Sequence, residues 1–260
     1  MKIDLHNHTT LCNHADGSIE EYIKQAIQTG THYFGFSDHA PMDFDPQYRM
    51  SFEDMEKYEK EVLKYKKKYK NKITILLGYE VDYLEGYMDE RVLNADVDYL
   101  IGSVHFIDKW GFDNPEFIGK YQEKDIDEIW QRYFDAVKKM AQSTLFDIVG
   151  HLDLIKVFKF MPTKNIQDIA KETLIAIKEA NMVIELNVAG YRKPIAEAYP
   201  SLTLLKMAYE LGIEITFGSD AHTPEQVALF SDEIVQLAKS VGYTQCVVFK
   251  KRKKVFVNIL

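Results

Sequence analysis

The chain has 260 residues, of which 46% are hydrophobic and 28% charged, a balance typical of a globular protein with a sizeable core. Its net charge of -8 argues against a surface built for nucleic acid, because phosphate backbones attract basic surfaces. Two distant cysteines, no apolar signal core and no stretch of 18 continuous apolar residues favour a cytoplasmic protein with neither a disulfide framework nor a membrane partner.

Short apolar segments alternate along the chain with segments of helical spacing. The predicted helices occupy 18–30, 52–70, 125–142, 164–180, 201–211 and 224–240, and the first begins at a capping box of Ser18 and Glu21. Seven predicted strands occupy 2–6, 32–39, 73–81, 97–106, 146–151, 182–188 and 213–222. Because these strands are apolar on both faces and alternate with helices, we expect a parallel sheet, closed or nearly closed into a barrel, in one domain spanning residues 1–260.

Two segments depart from a plain barrel pattern. Residues 40–50 are rich in proline and aspartate and predict a long loop over one end of the barrel. Residues 246–260 predict two β segments around the basic run 250–254. We interpret that run as a hairpin turn of solvated lysines rather than as a nucleic-acid contact.

Polar side chains that can bind metals follow the predicted strands at their carboxyl ends. Active sites of parallel barrels assemble at that face. One histidine at a strand end is usually structural, but seven of the eight histidines share this position, and only His32 precedes a strand. The pattern therefore predicts a site built from His6, His8, His14, His39, Glu80, His105, His151, Asn187, Asp220 and His222.

The residue types indicate a divalent metal site. Imidazole and carboxylate ligands fit zinc, iron and manganese, and the absence of paired cysteines argues against a structural zinc knuckle. His6 and His8 lie on one side of an extended strand, roughly 6–7 Å apart along the backbone, a span that two imidazoles can close onto one ion. The residue types do not distinguish between zinc, iron and manganese.

With these motifs in order, "HNH", "SDH", "GYE", "SVH", "GHLD" and "GSDAH", the chain resembles the polymerase-and-histidinol-phosphatase (PHP) family of metal-dependent phosphoesterases. The resemblance runs from His6 to His222 and implies an α/β fold, a distorted seven-stranded TIM-like (β/α)7 barrel. Within the family the chain is most similar to the branch that acts on L-histidinol phosphate in histidine biosynthesis. A small phosphorylated metabolite is therefore the expected partner.

The resemblance also implies three divalent ions. The first would be held by His6, His8, Glu80 and Asp220, the second by Glu80, His105 and His151, and the third by His14, His39 and His222. Glu80, as the bridge, and His222 are counted among the catalytic residues. A metal cluster can activate water and hold phosphoryl oxygens. The expected mechanism is attack on phosphorus by a hydroxide that bridges the first two ions.

Four further residues are candidates for binding the phosphate group or for donating a proton to the leaving group. Arg192 lies in a stretch that resembles the family's phosphate-binding loop and is preferred to Arg49, since arginine suits phosphate. Lys156 lies where relatives carry a basic residue. Asp16 and Asp153 are candidate proton donors for the leaving alkoxide. The alternative is that Asp16 caps the first helix and Asp153 orients a ligand histidine.

Other functions remain open at this point. The loop 40–50 offers Asp43, Phe44, Asp45 and Tyr48 for a substrate with an amine and an imidazole, although many solvated lids have such a composition. A phosphodiesterase or nuclease of the same family, a phosphatase for another small metabolite, and a non-catalytic metal-binding scaffold are the alternatives. The sequence predicts no oligomeric state.

Overall fold

A computed structural model describes residues 1–259. Within them the chain forms eleven strands: β1 Lys2–Asp4, β2 Thr31–Phe36, β3 Thr74–Asp82, β4 Tyr99–Ser103, β5 Phe106–Ile107, β6 Trp110–Gly111, β7 Ile148–Val149, β8 Val183–Asn187, β9 Ile215–Gly218, β10 Gln245–Lys250 and β11 Lys253–Asn258. Seven strands form one parallel sheet in the order β1-β2-β3-β4-β7-β8-β9. The Leu5 amide after β1 donates to the Phe217 carbonyl of β9 (2.8 Å), which nearly closes the sheet. The predicted barrel is confirmed.

The helices lie between successive strands: α1 Ile19–Gln28, α2 Met55–Tyr69, α3 Glu90–Leu93, α4 Ile126–Gln142, α5 Ile166–Glu179, α6 Leu202–Glu210 and α7 Ser231–Val241. The capping box of Ser18 and Glu21 begins α1, as predicted. α7 begins later than predicted, because a separate 3-10 turn occupies Pro224–Gln226. None of the helices in residues 1–259 is long and apolar enough to cross a membrane.

The predicted strand 97–106 is too long. β4 ends at Ser103, and the chain then forms the short antiparallel hairpin of β5 and β6, which the sequence analysis missed. Asp108 in that turn has a left-handed φ of 58°, a conformation that ends a regular strand. His105 therefore lies between β4 and β5, in the connection that leaves the barrel end.

The C-terminal hairpin of β10 and β11 covers the amino end of the barrel, opposite the predicted site. The buried Phe249 ring lies 6.1 Å from the Tyr99 ring at the start of β4. In the turn, the Arg252 amide donates to the Asp98 carbonyl (2.8 Å) and its guanidinium bonds the Asp147 carboxylate. The hairpin is confirmed, and Lys250, Lys251 and Lys253 are exposed, as predicted. Arg252 is the exception, because it contacts residues that precede β4 and β7.

Candidate metal centre

The nine predicted ligand residues converge at the carboxyl ends of the strands. A cavity of about 710 Å³ opens there. Two of the nine, His6 and His8, are fully buried and contact Glu80. The other seven line the cavity: His14, His39, Glu80, His105, His151, Asp220 and His222.

The Glu80 carboxylate at the end of β3 faces two groups of histidines. Its Oε2 atom lies 3.3 Å from His6 Nε2, 3.6 Å from His8 Nε2 and 3.0 Å from His39 Nδ1. Its Oε1 atom lies 2.9 Å from His151 Nε2 and 3.7 Å from His105 Nε2. Burial alone would raise the pKa of Glu80, but the surrounding histidines hold that pKa well below its ordinary value. One ionised carboxylate thus offers one oxygen to each group.

Asp220, just after β9, completes the group around His6 and His8. Its Oδ1 atom lies 3.2 Å from His8 Nε2 and 4.0 Å from His6 Nε2. The residue has a left-handed φ of 53°, a conformation that costs a non-glycine residue about 1–3 kcal/mol and concentrates at functional sites. The Nε2 atoms of His6 and His8 are buried without a hydrogen-bond partner in the described chain. Buried nitrogen atoms of this kind fit a cation as their partner.

A further group consists of His14, His39 and His222, whose ligand atoms lie within 4.8 Å of one another. The Nδ1 atoms of His14 and His222 contact the backbone carbonyls of Cys12 (2.8 Å) and Asp220 (3.1 Å). Because a carbonyl only accepts, each Nδ1 carries the proton and each Nε2 presents a lone pair. Burial lowers the pKa of both rings, and their Nε2 atoms are 3.0 Å apart. The lone pairs of these two Nε2 atoms repel each other, whereas a cation between the two rings would be bound by both.

Three carboxylates that were not predicted lie beside the Nδ1 atoms of the histidines. Glu185 Oε1 lies 2.7 Å from His6 Nδ1, and Asp82 Oδ1 lies 2.7 Å from His105 Nδ1. Asp38 Oδ1 lies 3.4 Å from His8 Nδ1. Metal-binding histidines usually donate their other ring N–H to such a group, so the arrangement fits divalent ions. Asp82 could have been found from its i, i+2 spacing to Glu80 on one strand face.

Cys12 lies close to this cluster as well. A thiol ligand atom could reach the same point as His8 and His222. The thiol instead donates to the Thr9 carbonyl (3.1 Å), and burial raises its pKa well above the ordinary value. A protonated thiol is a poor metal ligand, which agrees with leaving Cys12 outside the predicted ligand set.

Arg192 lines the cavity beside the histidine cluster. It lies in a 3-10 turn directly after β8, and its Nη2 atom donates to the carbonyls of Ser219 and Asp220, both at 2.9 Å. Its Nη1 atom is buried without a hydrogen-bond partner among residues 1–259. The guanidinium is therefore held next to Asp220, and its Nη1–H group can still donate a hydrogen bond to an anion.

The remaining predicted site residues do not line the cavity. The fully buried Lys156 ammonium contacts Asp153 (3.1 Å), Glu197 (3.1 Å) and the Ala198 carbonyl (2.8 Å), so its predicted phosphate contact has no support in this geometry. Within residues 1–259 the Asp153 carboxylate accepts from the Ser201 amide and pairs with Lys156, and it forms no hydrogen bond or ion pair with a histidine. Asp16 is exposed, and Ser18 rather than Asp16 caps α1.

The loop 40–50 forms part of the cavity wall, as predicted. Phe44, Asp45, Tyr48 and Arg49 line the cavity, whereas Asp43 does not. Asp113, after β6, also lines it and was missed by the sequence analysis. Burial raises the pKa of the Asp113 carboxyl. The cavity thus joins aromatic rings, carboxyl groups and a guanidinium around the histidine cluster.

A scan against protein-family models matches residues 4–189 to the PHP domain. A protein of Deinococcus radiodurans named "Probable histidinol-phosphatase" is 38% identical over 256 residues, which cover 96% of this chain and 97% of that protein. The "Histidinol-phosphatase" of Bacillus subtilis is 29% identical, over 85% of this chain and 94% of that protein.

One solved structure shares the fold along almost the whole chain. A histidinol phosphate phosphatase from Lactococcus lactis, in complex with zinc, L-histidinol and phosphate, superimposes with a TM-score of 0.80. It is 23% identical in sequence, and the match covers 98% of each chain.

Proposed function

Because the chain belongs to the PHP domain family and its cavity joins a histidine–carboxylate cluster to an arginine, we propose that it is a metal-dependent phosphomonoesterase that hydrolyses L-histidinol phosphate to L-histidinol and phosphate. Two relatives matched over 85% or more of this chain carry the name of that activity. A cavity of about 710 Å³ suits a small metabolite.

The observation that carries the proposal is the position of Glu80. Its two oxygen atoms face separate histidine groups, at 3.3 Å from His6 Nε2 and 2.9 Å from His151 Nε2. A carboxylate placed in this way is suited to hold two divalent ions close together. The groups of His6, His8, Glu80 and Asp220, of Glu80, His105 and His151, and of His14, His39 and His222 would hold three ions.

The metal ions and the protein side chains would have different roles in the reaction. Bound zinc, iron or manganese would supply Lewis acidity, which lowers the pKa of water towards about 7 and neutralises charge on the phosphoryl group. Arg192 would donate its free Nη1–H group to a phosphoryl oxygen while its Nη2 atom stays on the Ser219 and Asp220 carbonyls. Glu185, Asp82 and Asp38 would fix the ring orientation of His6, His105 and His8.

The cellular setting follows from the proposed substrate. Residues 1–260 would act as one catalytic domain on a small biosynthetic intermediate. We place the protein in the cytoplasm for that reason. Neither nucleic acid nor a membrane has a part in the proposed reaction.

A substrate panel tests the proposal. Protein loaded with zinc, manganese or iron would be offered L-histidinol phosphate, bis-p-nitrophenyl phosphate and short single-stranded DNA, with released phosphate or nucleotide measured. We expect turnover of the monoester at least about 100-fold above that of the diester, corresponding to roughly 2.7 kcal/mol of transition-state discrimination. Glu80→Gln should lose activity, and the exposed Glu172→Gln should keep it.

The panel also separates the alternatives. Turnover of the diester or of DNA without the monoester would show a phosphodiesterase or nuclease. No turnover by metal-loaded protein would favour a non-catalytic metal-binding scaffold. Turnover of other small phosphomonoesters at equal rates would support phosphomonoester hydrolysis but contradict L-histidinol phosphate as the specific substrate.

A further inference from the structure

Arg49 is a buried cation at the end of the loop 40–50. Its Nε atom donates to the Asp45 carbonyl at 2.9 Å, and its Nη2 atom lies 3.6 Å from the Asp45 carboxylate. Its Nη1 atom donates to Asp82 Oδ2 at 2.6 Å. Only 4% of the Arg49 side chain is exposed, so these contacts form away from bulk water. The guanidinium therefore joins the loop to the end of β3.

Asp82 continues this connection towards the histidine cluster. While Oδ2 accepts from Arg49, Oδ1 lies 2.7 Å from His105 Nδ1. The opposite ring nitrogen of His105 points to Glu80 Oε1 at 3.7 Å. Asp82 follows Glu80 by two positions on β3, so both side chains leave the strand on one side.

We propose that Arg49 is a positioning residue that couples the loop 40–50 to the metal group of Glu80, His105 and His151 through Asp82. This inference rests on the proposed function, since it concerns the same cavity and the same ions. It assigns Arg49 to the protein's own carboxylates and not to the substrate phosphate.

The coupling follows from what each partner loses without Arg49. Asp82 Oδ2 would lose the donor that lies 2.6 Å from it, and a buried carboxylate oxygen left without a donor turns towards water. The His105 ring would then lose the acceptor that fixes its orientation. The loop would also lose its contact with β3. Because its residues Phe44 and Tyr48 form part of the cavity wall, the shape of the cavity would change as well.

One substitution should therefore change two measurable quantities together. Arg49→Gln should weaken one of the three metal sites by up to roughly 10–100-fold, the usual effect when a metal ligand loses its outer partner, here Asp82 beside His105. It should also raise KM, because the loop lines the cavity. An arginine that only contacts phosphate would change KM and leave metal affinity unaltered.

The experiment is a competition titration of metal-stripped protein with zinc and a chromophoric chelator, which reports the number and affinity of the sites without any substrate. Wild type should show three sites, and Arg49→Gln two unchanged sites and one weakened site. Arg91→Gln, an exposed arginine that pairs with Asp89, is the matched control and should behave as wild type. In a His105→Ala background, Arg49→Gln should add little further loss, because both changes act on one site.

Unchanged metal affinities in a folded Arg49→Gln protein would overturn the inference, and so would full additivity with His105→Ala. If Arg49→Gln does not fold, Arg49→Lys takes its place, since lysine keeps the charge but cannot contact Asp82 and the Asp45 carbonyl with a planar fork. A site weakened several-fold in Arg49→Lys supports the coupling, and wild-type affinity contradicts it. Wild-type protein that binds no metal would contradict the proposed function instead.

Discussion

The imidazole rings of His14 and His222 present their Nε2 atoms to each other at 3.0 Å, although 208 positions separate the two residues in the chain. His14 lies in the loop after β1, and His222 lies after β9. Closure of the barrel brings these two strands together, with the His8 amide donating to the Ala221 carbonyl at 3.0 Å. The cluster is therefore a product of the fold, and each of its members can be tested separately.

Removing His14 should remove one ion. His14→Ala leaves His39 and His222 as the remaining histidines of that group, too few protein ligands to hold a metal tightly. We expect about two ions per chain instead of three by elemental analysis after desalting. His32→Ala is the matched control, because His32 is the one histidine outside the cluster, where its Nδ1 accepts from the Lys2 amide. Three retained ions in His14→Ala would contradict the assignment.

Metal binding should depend on pH differently at the three groups. Burial alone would lower the pKa of His8, but Asp220 and Asp38 raise it to about 9. The pKa of His105 is raised to about 10, against the effect of burial, by Asp82 and Glu80. Below these values a proton occupies each ring in the metal-free protein. Metal must displace that proton, so affinity at the group of His105 should fall roughly tenfold per pH unit as the pH decreases. At the group of His8 the fall should be steeper, because Glu185 and Glu80 raise the pKa of His6 as well, against the effect of burial.

Metal affinity at the third group should change little near neutral pH. Burial lowers the pKa of His39 to about 4, and burial and the charge on His8 lower the pKa of His222. Those rings are neutral at pH 6 and need lose no proton. Calorimetric zinc titrations at pH 6 and pH 8 should therefore show one site that changes little and two that weaken at pH 6. Equal weakening of all three sites would argue against this division.

Arg192 should matter for catalysis and not for metal content. Arg192→Met removes a charge-assisted donor to the phosphoryl group, an interaction of about 1.5–3 kcal/mol. We expect kcat/KM for the monoester to fall roughly 10–150-fold, with three ions still bound. Arg132→Met, at a surface arginine paired with Asp108 and Glu128, should leave kcat/KM unchanged. Unaltered kinetics in Arg192→Met would remove Arg192 from phosphate binding.

Lys156 should contribute to stability. Its ammonium is fully buried between Asp153 and Glu197, and Lys156→Met leaves the buried Asp153 carboxylate without a cation. Breaking a buried pair on one side costs about 3–5 kcal/mol of unfolding free energy. Urea unfolding should show that loss, and Lys171→Met, an exposed lysine on α5, should not. Unchanged stability with weaker inhibition by inorganic phosphate would restore the phosphate-binding role of Lys156.

Much of the histidine cluster can be predicted from the sequence, because a parallel barrel gathers the carboxyl ends of all its strands at one face. Glu185, within β8, and Asp38, after β2, were not predicted, because a carboxylate on or after a strand gives no sign of which ring nitrogen it will face. The contact of Lys156 with Glu197, 41 positions later, could not be predicted for a similar reason. Pairings across the barrel depend on the closed structure.

The fold shows the same limit. Apolar segments of strand length predicted the seven strands of the barrel in the correct order. The strands β5 and β6 were not predicted, because each has only two residues and carries no periodic pattern. The tail was predicted as a hairpin from its two β segments. Its position at the amino end of the barrel depends on contacts of Phe249 and Arg252 with β4 and Asp147, which no local pattern encodes.

The central claim is that the chain hydrolyses L-histidinol phosphate with metals held by this cluster. The most direct test is phosphate release from L-histidinol phosphate as zinc or manganese is returned to metal-stripped protein, in wild type and in Glu80→Gln. We predict that wild-type activity is absent without metal and rises with added metal to a plateau near three equivalents, while Glu80→Gln stays inactive at every addition. Turnover that is independent of metal, or equal in Glu80→Gln, would contradict the account.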